Sequence, residues 1–131
     1  VFGRFSVVTV MVMAGIGAVV RWTAYPLVWP LGLGIPGFFA VQALHAISTA
    51  LILIALQKMI AETISDEQTG AAQGIAYFAN GVCMAGATLV SGPLYGRFGA
   101  DGFWAMVPVA LAGLVLVALA ARSAPQRRRR R

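Results

Sequence analysis

Long apolar stretches without a single charged residue follow one another along this chain. The charge-free runs cover residues 5–20, 22–57, 68–96 and 102–121. A helix needs roughly 20 predominantly apolar residues to cross the hydrocarbon core of a bilayer. The pattern therefore predicts an all-α membrane protein with four transmembrane helices, over about residues 5–27, 37–61, 67–95 and 101–122.

Turn-forming and capping residues predict where these helices begin and end. Pro26 and Pro30 end the first helix, and residues 29–36 form an external turn that contains two prolines and two glycines. Ser65 opens a capping-box pattern before the third helix. Asp101 is expected to cap the fourth helix.

The composition excludes an ordinary soluble domain. Hydrophobic residues make up 60% of the 131 residues and charged residues 11%, against about 45–50% and 25% in soluble domains. The mean hydropathy is +0.83. The first apolar run continues through Arg21 and Trp22 without a small-residue cleavage site, so it is not expected to be a signal peptide.

Basic residues predict the orientation in the membrane. With both termini inside, one basic residue, Arg97, lies outside and Arg21 lies within the membrane. The eight basic residues then inside are Arg4, Lys58, Arg122 and Arg127 to Arg131. Because loops rich in Lys and Arg stay in the cytoplasm, both termini are predicted to be cytoplasmic. We expect the membrane to be a bacterial inner membrane.

The chain divides into a transmembrane bundle over residues 1–122 and an Arg-rich cytoplasmic tail over residues 123–131. The five arginines at 127–131 are expected to rest on anionic lipid, at about 1 kcal/mol each. A basic run also suits nucleic acid, but attachment to a membrane bundle favours the lipid. No nucleic-acid partner is therefore predicted.

Six of the polar side chains within the predicted spans are the most informative: Arg21, Gln42, His45, Ser48, Thr49 and Asn80. Ionisable groups inside a membrane are costly and point to function. A rise of about 1.5 Å per residue places Arg21 roughly 24 Å above the inner face of the membrane core. It places His45 and Asn80 both at roughly 18 Å. Arg21 and His45 are thus expected to lie close together on neighbouring helices.

The second helix carries a polar stripe. Its members share one helical face, and they are Gln42, His45, Ser48 and Thr49. Such a face is expected to meet protein or a water-filled cavity. Structural alternatives stay open. Arg21 could reach the outer interface beside Trp22, His45 could form a hydrogen bond between helices, and Ser48, Thr49 and Asn80 could join helices.

Small residues recur at four-residue spacing on the first and third helices. The pairs are Gly70 and Gly74, Gly81 and Ala85, and Ala14 and Ala18. This spacing allows helices to approach closely in lipid. It fits ordinary packing within a bundle, or a dimer interface.

The sequence predicts no enzyme, cofactor or metal site. It contains one His and one Cys, and it has no phosphate-binding loop in a strand–helix setting. The lone Cys83 lies within an apolar run and can form no internal disulfide.

Three motifs carry a family resemblance: Arg21-Trp22, the segment QALHAIS at 42–48 and the segment SGPLYGRFG at 91–99. With them the chain resembles the C-terminal part of a major facilitator superfamily transporter. It is most similar to the group of lactose permease, nucleoside–proton symporters and phenylpropionate permease-like proteins.

The resemblance implies a fold and partners. Such transporters have twelve helices in two six-helix halves, and the match makes these four the ninth to twelfth. The chain would then be a fragment of the C-terminal bundle. Its partners would be the N-terminal half and the first two helices of its own half.

The resemblance also implies site residues. In these symporters an Arg on the ninth helix and a Lys-x-x-His-x-x-Glu stripe on the tenth line the cavity and serve proton coupling. Arg21 and His45 match, whereas Gln42 replaces the Lys, Ser48 the Glu, and Asn80 a Lys on the eleventh helix. The proton-carrying carboxylate is absent here, so any proton coupling would fall to His45 or to another helix. A small organic solute, a carboxylate or a polar aromatic compound, would suit the site.

Two other functions compete with transport by a large symporter. A small four-helix multidrug exporter has a similar length and works as a dimer, but it depends on a Glu in its first helix, which this chain lacks. A structural membrane protein without transport is the second alternative. The ionisable groups Arg21 and His45 within the membrane count against it.

Overall fold

The computed structural model describes residues 5–123, which form four α-helices and no β-strand. The helices are α1 (Val7–Ala24), α2 (Gly34–Thr63), α3 (Thr69–Phe98) and α4 (Met106–Ser123). Short 3-10 segments connect or extend them at Tyr25–Leu27, Asp66–Gln68 and Gly99–Ala105. The predicted all-α class is confirmed for this part of the chain. Arg4 and the arginines at 127–131 lie outside the described residues.

Three continuous helical segments are long and apolar enough to cross a membrane, as expected of an integral membrane protein. They are Val7–Leu27, Gly34–Thr63 and Asp66–Arg122. The third has 57 residues, which at 1.5 Å per residue is roughly 85 Å, more than twice a core of about 30 Å. Gly99, with φ +56°, divides it into α3 and α4.

The packed core lies between α1 and α2. Val10 and Ala14 of α1 meet Leu51 and Ala55 of α2, and all four are buried. The two helices approach closely at Gly17, where a Cβ atom would lie 3.3 Å from the Cβ of Ser48. Small side chains on α1 therefore set the α1–α2 contact, as expected for helices in lipid.

The helix α4 packs on α1, where Leu114 fills the space beside Gly15. By contrast, α3 has no buried residue within the described chain. It meets α2 near its beginning through hydrogen bonds from Gln73 Nε2 to Gln57 Oε1 (2.8 Å) and from Gln57 Nε2 to the Tyr77 hydroxyl (2.9 Å). Its other end joins the 3-10 segment Gly99–Ala105.

Two details of the helix ends differ from the sequence prediction. The prediction that Asp101 caps α4 is wrong, because Gly99–Ala105 continues as a 3-10 segment and α4 begins only at Met106. Ser65 has the extended backbone of an N-cap residue, φ −70° and ψ 153°, but its side chain makes no capping hydrogen bond. The carbonyl of Ser65 instead accepts from the Gln68 amide at 3.0 Å, which closes a tight turn before α3.

Candidate functional site

A polar cluster lies where the end of α1 meets the first half of α2. Arg21 is in the last turn of α1, and its Nη1 donates a hydrogen bond to Nδ1 of His45 on α2. The short turn after α1 returns α2 alongside it, which brings the two residues to the same level. Helical rise alone predicts this proximity, and the structure places the two side chains in contact.

The Arg21 contact defines how His45 is protonated. A guanidinium group can only donate hydrogen bonds, so Nδ1 of His45 is an acceptor and the proton of the neutral ring sits on Nε2. The Thr49 hydroxyl lies 3.3 Å from the same Nδ1 atom. His45 is exposed in the described chain, so its Nε2–H group is available to another molecule or helix.

Arg21 is held between polar and aromatic partners. Its Cζ atom lies 4.1 Å from the centre of the Trp22 ring, a cation–π arrangement. Its Nε atom is buried and has no hydrogen-bond partner among the described residues. A buried donor without a partner is costly. Because Nε is enclosed, a further acceptor can reach the guanidinium only through its Nη groups.

Gln42 belongs to the same surface through Tyr25, a residue that sequence reasoning missed. The Tyr25 hydroxyl donates to Oε1 of Gln42 at 2.7 Å, which leaves the Gln42 amide nitrogen free to donate. Tyr25 follows Arg21 by four residues and so lies on the same helical face. That spacing was the available signal for it.

The remaining predicted site residues are placed elsewhere. Ser48 is buried against α1, and its hydroxyl donates to the backbone carbonyl of His45 at 3.0 Å. Asn80 is exposed on α3 and makes no hydrogen bond within residues 5–123. The structure thus joins Arg21, His45 and Gln42 into one surface and leaves Ser48 and Asn80 out of it.

Stacked aromatic rings cover the outer end of this cluster, and sequence reasoning missed them too. Phe103 stacks on Tyr25 with ring centres 4.9 Å apart and on Trp22 at 5.9 Å. Phe38 meets Tyr25 edge-on at 5.6 Å. These contacts fix Trp22 and Tyr25, which in turn position Arg21 and Gln42.

The arrangement presents hydrogen-bond donors to whatever occupies the open side of α2. They are the free guanidinium N–H groups of Arg21, the Nε2–H of His45 and the Gln42 amide, which suit an anion or a polar group with acceptor atoms. Within the described residues, no group of three His, Cys, Asp or Glu side chains has metal-binding geometry.

No family model, curated protein or solved structure matches this chain. The resemblance to major facilitator transporters therefore stays a prediction from the sequence motifs.

Proposed function

We propose that this chain is the C-terminal segment of a secondary active transporter of the major facilitator type, which moves a small organic solute across a membrane. Its four helices would be the ninth to twelfth of twelve. Both termini would be cytoplasmic in a bacterial inner membrane. The arginines at 127–131 would contact anionic lipid.

The contact between Arg21 and His45 carries the proposal. Both side chains lie in segments long and apolar enough to span a membrane. A charged side chain inside a membrane is costly unless it is paired or faces a water-filled path. Here the cation is held by a neutral ring and by the face of Trp22, so its charge is not neutralised. Such a cation is expected to serve an anionic substrate group or a carboxylate on a partner helix.

The open sides of the helices also favour a larger bundle. Across its 30 residues α3 has no buried side chain, and a Cβ atom at Gly70, Gly74 or Gly81 would meet nothing within 4 Å beyond the adjacent part of α3 itself. Helices in lipid associate through such small-residue surfaces. The two remaining helices of the same six-helix half would supply that packing.

Within this function, Arg21 would bind the anionic end of the substrate, and His45 would orient Arg21 and donate from Nε2. Gln42 would add a polar contact on the same surface. Ser48 would pack α1 against α2. Asn80 would line the cavity from α3 once the partner helices are present.

Uptake by the complete protein tests the proposal. We would express it in cells, screen labelled carboxylates, sugars and nucleosides, and then compare Arg21→Ala, Arg21→Lys and His45→Ala. Losing a hydrogen bond to a charged group costs about 1.5–3 kcal/mol, so uptake should fall about tenfold or more at normal membrane levels. Arg21→Lys should also fail, because Lys lacks the planar guanidinium fork.

The matched control is Thr23→Val. Thr23 is two residues from Arg21, and within residues 5–123 its hydroxyl bonds only its own helix, at Val19 O (2.9 Å). Uptake should survive this change. Unchanged uptake in both alanine variants would contradict the proposal and leave Arg21 as an interfacial residue and His45 as a bond between helices.

A further inference from the structure

The turn between α1 and α2 contains almost no polar side chain. Residues 26–36 read PLVWPLGLGIP, and apart from the indole N–H group of Trp29 their side chains are all apolar. A turn that lies in water normally carries polar residues. Residues 62–67, at the opposite end of α2, follow that rule with three carboxylates. The composition therefore sets residues 26–36 apart, and we call them the apolar turn.

The apolar turn presents its large side chains outward. Pro26 and Val28 are buried, so one side of the turn packs against the described chain. Four other side chains are more than half exposed: Trp29 (69%), Leu31 (64%), Leu33 (51%) and Ile35 (68%). Because removing apolar surface from water is favourable, an apolar environment is expected to cover these four.

The backbone of the apolar turn is bonded to itself. Three of its amides donate to carbonyls within it: Leu31 to Leu27 (3.1 Å), Gly32 to Trp29 (3.0 Å) and Leu33 to Val28 (3.0 Å). The prolines at 26, 30 and 36 have no N–H group to satisfy. Because acyl chains offer no partner to a polar backbone, a turn of this construction can lie against lipid at a lower cost than an ordinary loop.

The apolar turn lies where two membrane-spanning segments end. The segment Val7–Leu27 ends in it and the segment Gly34–Thr63 begins in it, and both are long and apolar enough to cross a membrane. The turn is therefore at the level of the headgroups and upper acyl chains. Partner helices would pack along the sides of α1 and α2, whereas the turn lies across their ends. Lipid is the apolar material at that level, and Trp side chains are enriched there.

We propose that the apolar turn is a lipid-binding surface, which inserts Trp29, Leu31 and Leu33 among the upper acyl chains of one leaflet. The indole N–H group of Trp29 points toward the phospholipid headgroups, as in the aromatic belts of membrane proteins. The turn carries no charge, so it needs no anionic lipid.

This surface has a consequence for the polar cluster. An inserted turn holds the adjoining ends of α1 and α2 at a fixed depth, and Arg21 lies only five residues before it. The proposal requires the two spanning segments but no transport activity. It can therefore be tested apart from the proposed function.

Spin-label accessibility tests the proposal on the complete protein in nanodiscs of phosphatidylcholine, a neutral lipid. Leu31→Cys would carry a nitroxide after Cys83 and any further cysteine are replaced by Ala. Oxygen concentrates in acyl chains, whereas a neutral nickel chelate stays in water. We expect collisions with oxygen to exceed those with nickel. Dominant nickel collisions would place the turn in water, and few collisions with either would place it under protein, so both results would overturn the proposal.

Ser65→Cys is the matched control, because Ser65 is exposed in the turn at the other end of α2. The same nitroxide there lies beside Asp66 and Glu67, so it should collide mainly with nickel. Oxygen-dominated collisions at both positions would show that the label enters lipid by itself, and they would overturn the proposal too.

Charged variants test whether the side chains of the turn set its depth. With the nitroxide at Ile35→Cys, the pair Leu31→Asp and Leu33→Asp should draw the turn toward water, because carboxylates are costly in lipid. The ratio of nickel to oxygen collisions should rise. The pair Leu31→Ala and Leu33→Ala stays uncharged and should keep a lower ratio than the Asp pair. Equal ratios in the two pairs would contradict insertion by these side chains.

Discussion

At the scale of single residues, helical geometry explains why the single polar stripe predicted on α2 is divided between two surfaces in the structure. Successive residues turn by about 100°, so Ser48 points about 100° away from Thr49. That angle turns Ser48 toward α1, where Gly17 leaves room for it, while His45 and Thr49 stay on the open side. Spacings of three and four residues alone could not separate these two surfaces.

Gly17 gives the first prediction at this scale. Gly17→Val adds carbon atoms where Ser48 already lies 3.3 Å from the Cβ position, so it should force α1 and α2 apart. Overpacking of this kind costs about 1–3 kcal/mol. The free energy of unfolding, measured by SDS titration of the protein in mixed micelles, should fall by that amount.

Gly113→Val on α4 is the control for Gly17→Val. It makes the same exchange within a helix, but a Cβ atom there would meet nothing within 4 Å beyond the adjacent part of α4 itself. Any difference between the variants therefore reports packing and not helix propensity. Equal destabilisation by the two would contradict a close α1–α2 contact at Gly17.

At the scale of helices, the charge-free runs were enough to predict an all-helical chain. They did not predict the segments between the helices, because these depend on the backbone conformation of single residues. The sequence suggested Asp101 as the start of α4, but Gly99 adopts φ +56° and a 3-10 segment follows it. That segment carries Phe103 to the rings of Trp22 and Tyr25. The aromatic stack was unpredictable for the same reason, since it depends on where this segment lies.

The bridge between α2 and α3 gives a prediction about elements. The Tyr77 hydroxyl accepts from Gln57 at 2.9 Å, and Gln57 accepts from Gln73 at 2.8 Å. Tyr77→Phe removes one bond of this bridge, worth about 0.6 kcal/mol on average between membrane helices. Backbone hydrogen exchange over the start of α3 should become about threefold faster.

Tyr95→Phe is the matched control on the same helix, because the Tyr95 hydroxyl bonds no residue within 5–123. It should leave exchange at the start of α3 unchanged. Faster exchange in both variants, or in neither, would contradict a role for the bridge in holding α3 to α2.

At the scale of the whole molecule, the sequence and the structure divide the chain into different numbers of membrane-spanning segments. The structure offers three continuous segments that are long and apolar enough, whereas the sequence predicts four spans. The two numbers agree if the segment Asp66–Arg122 crosses the membrane twice. It has the length for two crossings, and the chain turns at Gly99. Basic residues agree with two crossings, since these place Lys58 and Arg122 on the same side.

Reporter fusions that read membrane sidedness test the proposed membrane arrangement most directly. Alkaline phosphatase, active only outside, and green fluorescent protein, fluorescent only inside, would be fused after Gly32, Ser65, Ala100 and Arg122 of the protein. Four crossings with cytoplasmic termini predict outside, inside, outside and inside, in that order. A phosphatase signal after Arg122 would contradict this arrangement, because an odd number of crossings places the two ends of the described chain on opposite sides.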